Sequence, residues 1–170
     1  MTIPRTVELI SVRRVFPRWS IDIPAEFDEA YTGEDGCWHA WDEARSVSMT
    51  SVLIEDEHGP VRAGEIARQL LPVEGAGLGG RPPADGEPVE LPPGLAGWAV
   101  AGPAAQPARA SRAISGILVV DGATLIVTVT ANDLDWARRT WLSIRHHQPP
   151  TLRGSRPLHQ ARHTRIARQA

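Results

Sequence analysis

Trp19-Ser20-Ile21-Asp22-Ile23-Pro24 alternates apolar and polar positions, with Trp19, Ile21 and Ile23 on one face and Ser20 and Asp22 on the other. A period of two marks a half-buried strand, and Pro24 ends it. An apolar, β-branched run from Val7 to Val12 precedes it. Further on, Cys37, His39 and Trp41 share one face of a short alternating run, with Trp38 and Ala40 on the other. The pattern is read with Trp41 inward, beside Trp19. Next, Val47, Met49, Ser51 and Leu53 oppose Ser46, Ser48, Thr50, Val52 and Ile54. Short polar breaks separate these runs, as antiparallel neighbours require.

The period then changes. Ala63, Ile66, Ala67 and Leu70 recur at helical spacing after Pro60, which suits a first helical position, and Pro72 stops them. Residues 72–93 are too dense in Gly and Pro for a regular element and read as a disordered loop. Two β-branched runs, 113–120 and 123–130, flank Asp121-Gly122, the favoured dipeptide of a type I′ hairpin. That hairpin is expected at the centre of the sheet. A last helix is expected from Asn132 as N-cap, with Asp135 three residues on, to the stop at Pro149-Pro150. Leu134, Ala137, Trp141 and Ile144 form its core stripe. Acids open it and Arg138, Arg139, Arg145, His146 and His147 close it, the order the helix dipole favours. Residues 149–170 lack a sustained apolar stripe and read as an arginine-rich, disordered tail.

These elements predict an α+β fold, a central antiparallel sheet of about six to eight strands with two or more packed helices. At 170 residues the chain is expected to be one domain over 1–148 followed by the tail. Cys37 is the single cysteine, so no internal disulfide is possible. No secretory signal or membrane span is recognised, which makes a cytoplasmic protein with no membrane partner the expectation.

Charge sharpens the picture. All 18 basic side chains are arginine. Residues 21–90 hold sixteen acids against four arginines, whereas residues 138–170 hold eight arginines and no acid. Such asymmetry fits an acidic face, which can receive a basic partner or the tail itself. Nucleic-acid contact through the tail arginines is the other reading.

Candidate chemistry is sparse. His146 and His147 would point about 100° apart on a helix, too divergent to grip one ion. His159 and His163 have helical i,i+4 spacing but no third ligand nearby, so no metal or other cofactor is expected. Cys37 and His39 would share a strand face and are the enzymatic alternative, though no nucleophile turn surrounds them. The carboxylates Asp22, Glu26, Asp28, Glu29, Glu34 and Asp35 cluster at strand ends and offer a second acid–base alternative. Among six tryptophans, Trp136 lies off the core stripe with Thr140, Ser143 and His147. It is either packed at the sheet edge or a partly exposed anchor of the type enriched in interfaces. The candidate partner-binding set is therefore Trp136, Thr140, His147, Asp28, Glu29, Glu34 and Asp35.

The WSIDIPAEF stretch, and the closing hairpin and helix with its Leu142-Ser143-Ile144 step, resemble the PsbP-like fold over roughly residues 7–147. That grouping includes the Ran-binding Mog proteins and bacterial DcrB-like proteins. The resemblance implies a sandwich of sheet and helices in a mostly non-enzymatic family of binding and accessory proteins. A non-enzymatic adaptor is the expected function, with an immunity or secretion-system accessory role as its narrower form.

Overall fold

The computed structural model describes residues 8–32, 36–70, 86–105 and 110–148, with the backbone alone at 32 and 67–70. Its strands are β1 (Ile10–Val15), β2 (Trp19–Pro24), β3 (Asp28–Thr32), β4 (Cys37–Trp41), β5 (Ser46–Leu53), β6 (Glu55–Asp56) and β7 (Gly59–Pro60), followed by helix α1 (Ala63–Leu70). Then come β8 (Glu87–Pro88), β9 (Ala96–Pro103), β10 (Arg112–Val120), β11 (Ala123–Ala131), helix α2 (Leu134–Leu142) and β12 (Arg145–His146).

A seven-stranded antiparallel sheet runs β3-β4-β5-β11-β10-β9-β8. The expected hairpin β10–β11 does occupy its centre. Its turn differs from the expected type I′, which needs positive φ at both central residues. Gly122 has φ +73°, but among the described non-glycine residues only Phe16 has positive φ. The neighbouring chain holds the turn in its observed shape. The Asp121 carboxylate accepts the Ala63 N–H (2.8 Å) where α1 begins, and the Gly122 N–H donates to the Val61 carbonyl (2.7 Å).

One face of this sheet is the core. Across the strands, Trp38, Met49, Val127, Gly116 and Ala99 align in one register row, and Ala40, Val47, Val129, Ile114 and Ala101 in the next. A second, three-stranded antiparallel sheet, β1-β2-β12, contributes Val15, Trp19, Ile21 and Ile23 to the same cluster. Helix α2 supplies Trp136, Ala137 and Trp141 to it. Gly116 makes room for the Trp141 ring: a Cβ there would lie 2.7 Å from that ring and 2.4 Å from the Trp98 carbonyl. The Trp141 indole N–H donates to the Glu90 carbonyl (2.9 Å), so its polar atom is satisfied in the core. Each fully buried tryptophan removes about 200 Å² from water, roughly 5 kcal/mol at ~25 cal/mol/Å².

Helix α2 is shorter than its sequence pattern suggests. Asp133 rather than Asn132 is the N-cap, accepting the Asp135 N–H (2.9 Å). Asn132 is occupied elsewhere, accepting the Ser111 N–H (2.9 Å). At the other end Ser143 is the C-cap; its hydroxyl donates to the Thr140 carbonyl (2.7 Å) and accepts the Asp22 N–H (2.9 Å). The chain then leaves the helix and pairs with β2, so His146 lies in a strand and His147 just after it. Neither histidine ends the helix.

On the opposite face of the large sheet, α1 packs Ile66 onto Ile117 and Val119, with Val61, Trp98 and Ile126 around them. Pro60 belongs to β7, ahead of this helix. The 72–93 stretch is not without regular structure throughout: β8 pairs with β9, and Val89 and Leu91 pack against the core. Its remainder to residue 85, the 149–170 tail, Glu34, Asp35, His159 and His163 lie outside the described residues.

Candidate partner-binding face

The outer face of the seven-stranded sheet carries the side chains left over by the core alternation. Asp28, Trp41, Ser46 and Thr130 form one register row, and His39, Ser48, Thr128 and Ser115 the next. Hydroxyls pair between strands: Ser46 Oγ lies 2.7 Å from Thr130 Oγ1, and Ser115 Oγ 3.4 Å from Thr128 Oγ1. Such cross-strand pairs stabilise a sheet without needing a covering layer. Helix α1 covers the other end of this face, around Ile117 and Val119.

Trp41 stands between two grooves. One, of about 380 Å³, is lined by Trp41, Ser46, Ser48, Thr128 and Thr130 with Ala110 on its rim. The other, about 490 Å³ and more open, is lined by Glu26, Asp28, Trp41, Asp42 and Glu43. The charges differ in their commitments. Asp42 is bound to Arg45, whose Nε and Nη2 donate to its Oδ2 (2.8 and 2.6 Å), while the N–H groups of Ala44 and Arg45 bond its Oδ1. Partial burial opposes ionisation there, but the Arg45 guanidinium and those N–H donors hold the Asp42 carboxyl below its ordinary pKa. Glu26 reaches Arg45 only at 3.9 Å. Asp28 and Glu43 make no ion pair among the described residues. Arg45 thus offsets Asp42 and, at longer range, Glu26, and the negative charge left without an ion pair among the described residues is that of Asp28 and Glu43.

Arg45 also settles the fate of Trp136. The guanidinium carbon lies 4.9 Å from the Trp136 ring centroid and 5.2 Å from that of Phe27, and the two rings are 5.9 Å apart. Trp136 and Thr140 are each only 5% exposed. Both are core residues, and the exposed-anchor reading of this side of α2 is overturned. The cause is a cover that a helical wheel does not display: Phe27 and Arg45 come from distant parts of the chain.

The other sequence candidates separate. His147 sits by the small sheet, its Nε2 within 2.8 Å of Ser20 Oγ, far in topology from the Trp41 row. Glu29 faces the core side and is used up there, accepting the Trp38 indole N–H (3.2 Å) and pairing with Arg13. Of the described partner-binding candidates Asp28 alone joins the groove, beside Glu26 of the acid–base set. Trp41, Asp42 and Glu43 were missed because Trp41 was read as inward, whereas Trp38 is the core tryptophan of that strand, at 1% exposure. Cys37 and His39 consequently face outward too. Cys37 Sγ contacts Ser48 Oγ (3.4 Å), and no hydrogen bond joins it to His39.

A larger cavity of about 1060 Å³ lies at the far end, by the Asp121 turn, between Arg18, Leu142, Arg145 and His146. Arg145 is engaged there by Asp22 through two hydrogen bonds of 2.9 and 3.1 Å. His146 stacks edge-on against Trp19 (4.8 Å), and burial, then the charges of Arg18 and His147, press its pKa below the ordinary histidine value. Among the described residues, no three His, Cys, Asp or Glu side chains are grouped to hold a metal ion, and no helix is long and apolar enough to cross a membrane.

No family model matches the sequence, and no curated protein matches it. The fold is similar to that of a protein from Bacteroides thetaiotaomicron known from its crystal structure, with a TM-score of 0.53 at 9% sequence identity. The likeness covers 76% of this chain and 45% of that one, so this chain spans less than half the length of that protein. At that identity the likeness concerns the fold alone.

Proposed function

We propose that this chain is a non-enzymatic adaptor or accessory protein that holds an arginine- or lysine-bearing segment of another protein across Trp41. The observation that carries the reading is the pairing of a half-buried indole with Asp28 and Glu43, two carboxylates that make no ion pair among the described residues. A cation over an indole face gains about 0.5–1 kcal/mol at an exposed site, and adjacent carboxylates add charge-assisted hydrogen bonds. The hydroxyl row of the neighbouring groove offers donors and acceptors to an extended backbone. Binding of this kind is salt-sensitive and has a fast association step.

The wider reading rests on the resemblance to the PsbP-like fold. The central antiparallel sheet, with α2 closing through Leu142-Ser143-Ile144, supports it. A cytoplasmic immunity or secretion-system accessory role follows from the same resemblance and forms part of the proposal.

The test is affinity capture from the native cell with mass-spectrometric identification, run in parallel with wild type, Trp41→Ala and Asp28→Lys. A protein retained by wild type in low salt, and lost with both variants, supports the proposal. Equal retention by all three, in variants that melt like wild type, sinks it.

A further inference from the structure

Strand β1 lies at the edge of the three-stranded sheet, and among the described residues it pairs with β2 alone. Its exposed row holds two apolar side chains, Ile10 and Val12, 56 and 62% exposed, and Leu9 just before the strand is 72% exposed on the alternate row. Natural edge strands are normally blunted by charge, proline or bulges, because a bare edge templates further pairing.

The direction of the free backbone groups follows from the register. The Ala25 N–H donates to the Leu9 carbonyl (2.8 Å), so Leu9, Ser11, Arg13 and Val15 turn their N–H and C=O groups toward β2. Pro24, which has no N–H, sits opposite Ile10, as that alternation requires. Glu8, Ile10, Val12 and Arg14 therefore point their backbone groups outward. The same residues form one side-chain row, acidic at one end, apolar in the middle and basic at the other. Reversed, the row complements itself. Antiparallel pairing with a second copy about an axis at Ser11 sets Ile10 against Val12 and Glu8 against Arg14, twice over. Arg14 makes no ion pair among the described residues, whereas Glu8 shares Arg45 with Asp42. Shifting the axis to Val12 would instead set Ile10 against Arg14.

We infer that the chain forms a two-fold dimer through β1, joining two three-stranded sheets into one of six strands. The observations are independent of the Trp41 groove. A two-fold pairing uses both edges and closes, so it does not propagate into a fibre. Other strand donors, such as an extended segment of an unrelated protein, would meet the apolar pair but not the charge row in both directions.

Sedimentation velocity of the intact chain tests this. Wild type is expected at twice the monomer mass at micromolar concentration. Val12→Pro removes an outward N–H without touching the bonds to β2 and should yield a folded monomer that melts like wild type diluted below its association range. Glu8→Arg and Arg14→Glu should each weaken association at least tenfold, and the double exchange should restore it. In a Cys37→Ser background, Ser11→Cys should form an intermolecular disulfide on mild oxidation, since a non-hydrogen-bonded antiparallel pair brings its Cα atoms to about 4.5 Å. A monomer at every concentration, or a dimer indifferent to Val12→Pro, overturns the inference, as does a double exchange that fails to recover.

Discussion

The two faces of the seven-stranded sheet are made by the same strands, yet they differ almost residue by residue. On the inner face the rows through Trp38 and Ala40 are apolar from β4 to β9, and two layers bear on them, the small sheet and α2. On the outer face, the rows through Trp41 and His39 carry hydroxyls, an imidazole and a carboxylate, and α1 reaches only the end around Ile117. The backbone cost of ordering is common to both. What separates them is cover: the inner face carries the stability, and among the described residues the Trp41 end of the outer face has no layer packed over it.

Replacing the two tryptophans of β4 should expose that division most sharply. Trp38→Ala, on the inner face, is expected to cost about 3–5 kcal/mol in urea denaturation. Trp41→Ala should cost roughly 1 kcal/mol or less while abolishing capture of a basic partner. Comparable losses of stability would mean that the outer face is also core. Next in size, Gly116→Val should destabilise by about 1–3 kcal/mol or more, because a Cβ has no room beneath Trp141. Ser115→Val, one position away on the outer face, should be close to neutral by the same measurement.

Smaller effects concern pH. The carboxyl pKa of Asp42 is lowered in the fold, so its contribution is present above the ordinary carboxylate value of 3.8 and is lost as pH falls through the native value. Asp42→Asn should flatten acid unfolding in that range. His146 also has a lowered pKa, so the unfolded chain binds the proton more tightly. Its contribution is present above 6.5 and declines as pH falls below it. Melting temperatures from pH 7.5 to 5 should fall less steeply in His146→Phe, which keeps a ring against Trp19; an unchanged slope would count against this assignment.

Much of the sheet was legible in the sequence because a period of two survives any context. β2 spans the WSIDIP stretch, and the central hairpin lies where Asp121-Gly122 places it. Alternation sorts side chains into two sets but does not say which set is covered, and β4 has a tryptophan in each set, with Trp38 and not Trp41 on the covered side. For Trp136 the sequence left packing and exposure both open, and the structure shows the packed alternative. A helical wheel registers only the helix's own residues, while the cover over Trp136 is built from Phe27 and Arg45, more than 90 positions earlier. The acidic groove was half legible. Composition located its charge, and Asp28 belonged to the candidate set, but the separation of Glu29 to the opposite face depends on register with Trp38. The early end of α2 followed from Ser143, whose hydroxyl serves two backbone groups that no local pattern announces.

Strand β12 has only two residues, yet it joins the last part of the described chain to β2 near its beginning, pairing Arg145 with Ser20 and His146 with Trp19. Ser20 and His147 add a side-chain bond across 127 positions. Contacts so distant along the chain close late in folding. During synthesis, the first strands must therefore wait, with Trp19, Ile21 and Ile23 unshielded by α2, until residue 147 has cleared the ribosome. The apolar alternation that stabilises the finished protein is, for that interval, its main exposure to misassembly.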